Sequence, residues 1–124
     1  MSKKVILAID DDVTQLKLVQ TMLDQTYDLR VVKSAADALN FLNTKSADLI
    51  LLDIDMPNVS GFEFLGDIRK IPSYISVPII IVSGCTGEAF FNQARSSTAF
   101  DVLSKPVTSE MLTSTIERAI AAAE

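Results

Sequence analysis

The chain has 124 residues, is 48% apolar and carries a net charge of −5, so we expect one domain with a buried core and neither disorder nor direct nucleic-acid binding. It has no histidine and one cysteine, which excludes a His-ligated zinc site, a Ser-His catalytic triad and an internal disulfide. No apolar run approaches the roughly 20 residues that span a bilayer, and no signal peptide precedes the first strand, so we expect a cytoplasmic protein without membrane insertion.

Five short apolar runs predict strands, and the segments that follow them have helical spacing. The stronger runs are apolar on consecutive residues, which is typical of strands covered on both faces of a parallel sheet. Thr14, Ser34 and Thr108 are the expected caps of the first, second and last helices. In chain order the predicted elements are strand 5–9, helix 14–25, strand 29–32, helix 34–43, strand 49–52, helix 61–70, strand 78–82, helix 87–96, strand 101–104 and helix 108–123. This alternation predicts an α/β fold with a parallel sheet.

Polar side chains follow four of these strands, at the edge where ligands of such sheets bind. They are Asp10, Asp11 and Asp12, then Asp53 and Asp55, then Ser83, and finally Lys105. Close carboxylates repel one another, and a single ammonium leaves a surplus of about two negative charges. Mg²⁺, which prefers oxygen ligands, fits this set, and the combination indicates phosphoryl transfer.

Four segments carry a resemblance to a known family. They read IDDD at 9–12, LLDIDMPNVSG at 51–61, PIIIVSG at 78–84 and SKP at 104–106. Together they resemble the receiver domain of bacterial two-component response regulators, of the single-domain, chemotaxis-regulator-like kind. The resemblance implies one receiver domain over residues 1–124. It also implies a flavodoxin-like, doubly wound (βα)5 fold with a five-stranded parallel sheet in the order 2-1-3-4-5.

The resemblance also implies the roles of individual side chains. Asp53 would accept a phosphoryl group, Ser83 would reach that group once it is attached, and Lys105 would pair with it. The bond between Lys105 and Pro106 would be cis.

The same resemblance implies a metal site and tuning positions. Mg²⁺ would be bound by Asp10, Asp11, Asp53 and the backbone carbonyl of Asp55. Asp55 and Cys85 lie where the family tunes dephosphorylation. The residue type at 55 leaves open whether it orients or repels the attacking water.

The implied partners are a sensor histidine kinase or phosphotransfer protein and a downstream protein target. Such a domain takes up a phosphoryl group and loses it again, and it is not a turnover enzyme. At the position of the family's aromatic switch residue, this chain has Val102.

Two other functions stay open on the sequence. The segment LLDIDMP also resembles the DxD motif of haloacid dehalogenase-like phosphatases, in which the first aspartate is the nucleophile. That motif normally lies on the first strand, and 124 residues leave no room for a cap domain. The other alternative is a degenerate receiver that serves only as a docking module.

Overall fold

The computed structural model describes residues 3–124, in which five strands alternate with five helices. The strands are β1 (Val5–Ile9), β2 (Asp28–Val32), β3 (Leu49–Asp53), β4 (Ile79–Ser83) and β5 (Asp101–Ser104). The helices are α1 (Val13–Leu23), α2 (Ala35–Thr44), α3 (Gly61–Arg69), α4 (Glu88–Ser96) and α5 (Ser109–Ala123). A short 3-10 turn, Pro72–Tyr74, lies between α3 and β4. In residues 3–124 no helix is both long enough and apolar enough to cross a bilayer.

The strands form one parallel sheet in the order β2-β1-β3-β4-β5. This confirms the predicted fold class and strand order. Because all the strands run the same way, their carboxyl ends meet at one edge of the sheet.

The consecutive apolar residues of the strands are explained by two cores, one on each face of the sheet. In β1, Ile6 and Ala8 belong to the core that includes buried residues of α1 and α5, whereas Leu7 and Ile9 belong to the core of α2, α3 and α4. Side chains alternate between the faces of a strand, so a strand covered on both faces needs apolar residues at successive positions.

The first helix begins one residue earlier than predicted, and the predicted cap on Thr14 is wrong. Asp12 caps α1, and its Oδ1 accepts hydrogen bonds from the N–H groups of Thr14 at 2.9 Å and Gln15 at 3.4 Å. The turn that precedes the helix selects Asp12 as the cap, because the Asp12 N–H donates to Asp10 Oδ1 at 2.9 Å and holds the residue in place. The caps on Ser34 and Thr108 are confirmed.

The boundaries of two strands differ from the prediction in a way that affects the site. β3 extends to Asp53 and β4 is shifted by one residue to end at Ser83. Both polar side chains are therefore held by the sheet, and both residues are buried, with 4% of Asp53 and none of Ser83 exposed.

Arg69, at the end of α3, joins the segments that lead into β4 and β5. Its guanidinium donates to the carbonyl oxygens of Tyr74 at 2.7 Å and Val77 at 2.6 Å. It also donates to Thr98, at 2.9 Å from both Oγ1 and the carbonyl oxygen. This role of Arg69 was not predicted from the sequence, because three of its acceptors are backbone carbonyls and the fourth, Thr98 Oγ1, lies 29 residues away.

Candidate functional site

The predicted site residues come together at the carboxyl edge of the sheet. Asp10 follows β1, Asp53 ends β3, Ser83 ends β4 and Lys105 follows β5. The strand register fixes their relative positions, because Asp53 lies beside Val82 and Ser83 lies beside Ser104.

Three carboxylates form a cluster at this edge. One oxygen from each of Asp10, Asp11 and Asp53 lies within 4.8 Å of the others, and such a group could hold a metal ion. Asp10 is 5% exposed and Asp11 is open to solvent. Asp53 Oδ1 accepts a hydrogen bond of 3.0 Å from the Asp55 N–H. The oxygen donor set is the kind that binds hard divalent cations.

Burial raises the pKa of Asp10 to about 6, and the neighbouring Asp53 carboxyl adds to the rise. The Asp12 N–H and the Lys105 ammonium act in the opposite direction and do not cancel it. The charged form of Asp10 is therefore disfavoured in this structure.

Lys105 provides the positive charge of the site. Its Nζ lies 3.4 Å from Asp53 Oδ1 and 3.7 Å from Asp10 Oδ2. Burial alone would lower the pKa of Lys105, but Asp53 and Asp10 outweigh it, and the pKa is raised above its ordinary value. The ammonium therefore stays charged at neutral pH. The peptide bond between Lys105 and Pro106 is cis, as the resemblance implied.

Asp55 makes contacts that the sequence analysis missed. Its carboxylate accepts hydrogen bonds from Ser83 Oγ at 2.9 and 3.0 Å, from the Gly84 N–H at 2.8 Å and from Cys85 Sγ at 3.2 Å. Burial would raise the pKa of Asp55, but the Gly84, Cys85 and Ser83 hydrogen bonds lower it overall. The signal available in the sequence was the pairing of an acid two residues beyond Asp53 with small donors at the end of the neighbouring strand.

The switch position lacks an aromatic ring, as the sequence shows. Val102 is half-buried and packs against the core that includes α3 and α4 residues. Phe100 lies just before β5 and is 37% exposed, with the Arg118 guanidinium 5.9 Å from its ring centre. Neither side chain offers a buried ring that could turn toward the site.

Comparison with known proteins agrees with this architecture. The sequence profile of the response regulator receiver domain matches residues 6–117. The chain is 36% identical over 106 residues to protein-glutamate methylesterase/protein-glutamine glutaminase 3 of Rhodopseudomonas palustris, a match that covers 82% of this chain and 28% of that protein. It is 31% identical over 120 residues to the 3',5'-cyclic-nucleotide phosphodiesterase regA of Dictyostelium discoideum, with 94% and 15% covered. The chain thus spans less than a third of the length of these relatives.

A solved structure of similar length gives the same result. The chemotaxis response regulator CheY4 of Vibrio cholerae has a TM-score of 0.87 with this chain at 27% identity, with 95% of this chain and 99% of that one covered. The matched profile begins at the second residue of β1, includes the other four strands and ends within α5. The chain therefore belongs to the family of response regulator receiver domains of two-component signalling.

Proposed function

We propose that Asp53 accepts a phosphoryl group from the phosphohistidine of a sensor histidine kinase or phosphotransfer protein, with Mg²⁺ bound at the site. The observation that carries the proposal is the position of the buried Asp53 carboxylate, 3.4 Å from Lys105 Nζ and in one cluster with Asp10 and Asp11. These three carboxylates and the Asp55 backbone carbonyl would hold the metal.

The chemistry is a displacement at phosphorus. An oxygen of Asp53 forms a bond to phosphorus while the bond between phosphorus and the imidazole nitrogen of the donor breaks. That nitrogen keeps the electron pair, and the product on Asp53 is an acyl phosphate. Mg²⁺, when bound, neutralises charge on the carboxylates and on the phosphoryl oxygens.

Lys105 and Ser83 serve the phosphorylated form. The Lys105 ammonium is already beside Asp53 and pairs with an oxygen of the attached group. The Ser83 hydroxyl lies at the end of the adjacent strand, within reach of the same group once it is released from its present partner. The added phosphoryl group brings about 1.5 to 2 negative charges, which would change the contacts of this edge with a downstream protein.

In this proposal the chain is a signalling module rather than a turnover enzyme. Residues 1–124 act as one domain, its partners are proteins of the cytoplasm, and neither nucleic acid nor a membrane is bound directly. The longer relatives carry additional sequence beyond the matched segment.

The phosphatase alternative has little support. The second aspartate of its motif, Asp55, accepts hydrogen bonds from Ser83, Gly84 and Cys85, and its pKa is lowered. A general acid needs the opposite, a carboxyl group that holds its proton near neutral pH. The docking-only alternative is separated from phosphorylation by the following experiment.

The proposal is tested by incubating the protein with Mg²⁺ and phosphoramidate, a small donor with a phosphorus–nitrogen bond. We expect the intact mass to rise by one phosphoryl group, and release of that group by hydroxylamine would assign it to an acyl phosphate. Asp53→Asn should take up none, because an amide cannot form this product. Asp67→Asn, at an exposed position of α3, is the matched control and should behave like the parent.

A degenerate receiver would give no mass increase in the parent and no measurable Mg²⁺ binding. A mass increase of one phosphoryl group that persists in Asp53→Asn would show that another residue is the acceptor.

A further inference from the structure

We propose that the Asp55 side chain occupies the phosphoryl-oxygen subsite of the unphosphorylated protein and competes with the incoming group for the Ser83 hydroxyl and the Gly84 N–H. The inference deepens the proposed function and rests on it. It makes Asp55 a positioning residue, separate from the role of its backbone carbonyl.

The single donor proton of the Ser83 hydroxyl is already used by its present contact. It has one proton, and it donates that proton to the Asp55 carboxylate, which lies 2.9 and 3.0 Å from Oγ. As an acceptor, Oγ receives the Cys85 N–H at 2.9 Å. A phosphoryl oxygen can therefore gain this donor only if Asp55 gives it up.

The same carboxylate also holds the neighbouring backbone donor. The Gly84 N–H lies 2.8 Å from Asp55 Oδ2, and the Cys85 thiol lies 3.2 Å from Oδ1. A hydroxyl and a backbone N–H that converge on one anion are what an oxyanion of a phosphoryl group would bind. In this structure the anion is the protein's own side chain.

The Asp55 carboxylate lies close to Asp53, the proposed acceptor of the phosphoryl group. The Asp55 N–H donates to Asp53 Oδ1 at 3.0 Å, so the side chain that holds Ser83 starts two residues from the proposed phosphorylation point. A group attached to Asp53 adds about 1.5 to 2 negative charges beside the Asp55 carboxylate. The attached group repels the Asp55 carboxylate and competes with it for the Ser83 and Gly84 donors. Both effects favour movement of the Asp55 side chain away from these donors.

The Asp55 side chain can rotate away from Ser83 and Gly84. The residue is exposed, whereas Ser83 is fully buried at the end of β4. Rotation of the Asp55 side chain moves its carboxylate into solvent and leaves Ser83 and Gly84 in place. The cost is the loss of the hydrogen bonds to the carboxylate, which bonds to water offset in part once the side chain is in solvent.

The experiment measures the affinity of the Mg²⁺-loaded protein for beryllofluoride, a phosphoryl mimic, in the parent, Asp55→Asn and Asp55→Ala. Mg²⁺ alone is titrated first, and each variant is then held at saturating Mg²⁺. We expect Asp55→Ala to bind beryllofluoride about ten-fold more tightly, because no side chain competes for Ser83 and Gly84. Asp55→Asn should fall between it and the parent, because the amide oxygen is uncharged and is still an acceptor.

A double-mutant cycle with Ser83→Ala separates competition for the hydroxyl from general repulsion. If Asp55 competes for that hydroxyl, the gain from Asp55→Ala shrinks to about two-fold when Ser83 is already alanine. An equal gain in both backgrounds would show that Asp55 does not compete for the Ser83 hydroxyl and would overturn the proposal. Equal or weaker binding by Asp55→Ala compared with the parent would also overturn it.

The failure of the proposed function has a different signature. In that case beryllofluoride binds to none of the proteins, Asp55→Ala included, and the competition fails with it. If the parent binds and the Asp55 variants do not differ from it, only the competition is refuted. Asp55 is at the surface, so thermal unfolding of each variant serves as the check of folding.

Discussion

The two halves of the site differ in how their charges are compensated. On the side of β1 and β3, Asp10, Asp11 and Asp53 form a carboxylate cluster whose protein cation is Lys105. On the side of β4, the donors of Ser83 and Gly84 already have an anion, the Asp55 carboxylate. We call these the acid half and the donor half.

The difference shows what each half requires from outside. The acid half has a buried carboxyl, Asp10, whose pKa is raised to about 6, chiefly by burial and further by the neighbouring Asp53 carboxyl. The donor half has a carboxyl whose pKa is lowered, which is the sign of an anion that is well satisfied. The acid half could hold a metal cation, whereas in our proposal the donor half must release the Asp55 carboxylate before it can bind another anion.

Lys105→Met removes the cation of the acid half, and we expect the largest effect from it. The rate of phosphoryl uptake from phosphoramidate at saturating Mg²⁺ should fall about 100-fold or more, because a charged donor aimed at the reacting group is lost. Mg²⁺ alone should bind at least as tightly as before, because a like charge has left. The matched control is Lys70→Met, at an exposed lysine that pairs with Asp67. An unchanged rate in Lys105→Met would remove Lys105 from the chemistry.

Gly61→Ala tests the packing of Ile54, the residue that joins the acid half to the donor half along the chain. Ile54 lies between Asp53 and Asp55, and a Cβ at position 61 would lie 2.6 Å from the Ile54 carbonyl oxygen. Ile54 or the start of α3 must shift, and we expect the free energy of unfolding in urea to fall by about 1–3 kcal/mol.

The same helix provides a matched control of opposite sign. At Gly66 an added Cβ would meet no atom within 4 Å. Gly66→Ala should therefore stabilise the protein by about 0.5–1 kcal/mol, because alanine favours the helix. An equal change in the free energy of unfolding for the two substitutions would show that Ile54 moves aside without loss of stability.

Asp10→Asn reduces the charge of the acid half, and the sign of its effect on stability should depend on pH and on Mg²⁺. The folded pKa of Asp10 is raised to about 6, so the folded protein binds this proton more tightly than the unfolded chain does. The cost of the charge is absent below about pH 4 and fully present above about pH 6. Without metal, we expect the variant to be more stable than the parent by about 1–2 kcal/mol near pH 7.5, with the difference lost near pH 4.

The groups that face Asp10 bear on this result. Asp53 and Asp11 repel its charge, and Lys105 keeps Asp53 as a partner when Asp10 is neutral. With Mg²⁺ present the parent should be more stable than Asp10→Asn, because the Asp10 carboxylate helps to bind the metal and the amide does not replace it. Thermal unfolding with and without Mg²⁺ measures both cases. A metal-free variant less stable than the parent near pH 7.5 would mean that Lys105 already compensates the cluster.

Much of the fold could be predicted because its signals are local. Runs of consecutive apolar residues identified the strands, and Ser34 and Thr108 marked two helix starts that the structure confirms. The first cap was mistaken because Asp12 and Thr14 are both good capping residues, and only the turn made by Asp10 selects Asp12. The strand ends at Asp53 and Ser83 depend on pairing with neighbouring strands, which a single run of residues does not reveal.

The sequence by itself determined the parallel sheet and the set of chemical groups at its carboxyl edge, because apolar periodicity and strand polarity act over a few neighbouring residues. Only the tertiary structure decided which of those groups are joined. Asp55 takes its donors from a segment 28 to 30 residues away, and Arg69 finds Thr98 across 29. Such pairs form because β3, β4 and β5 lie side by side, and hydrogen bonds require contact in space rather than closeness along the chain.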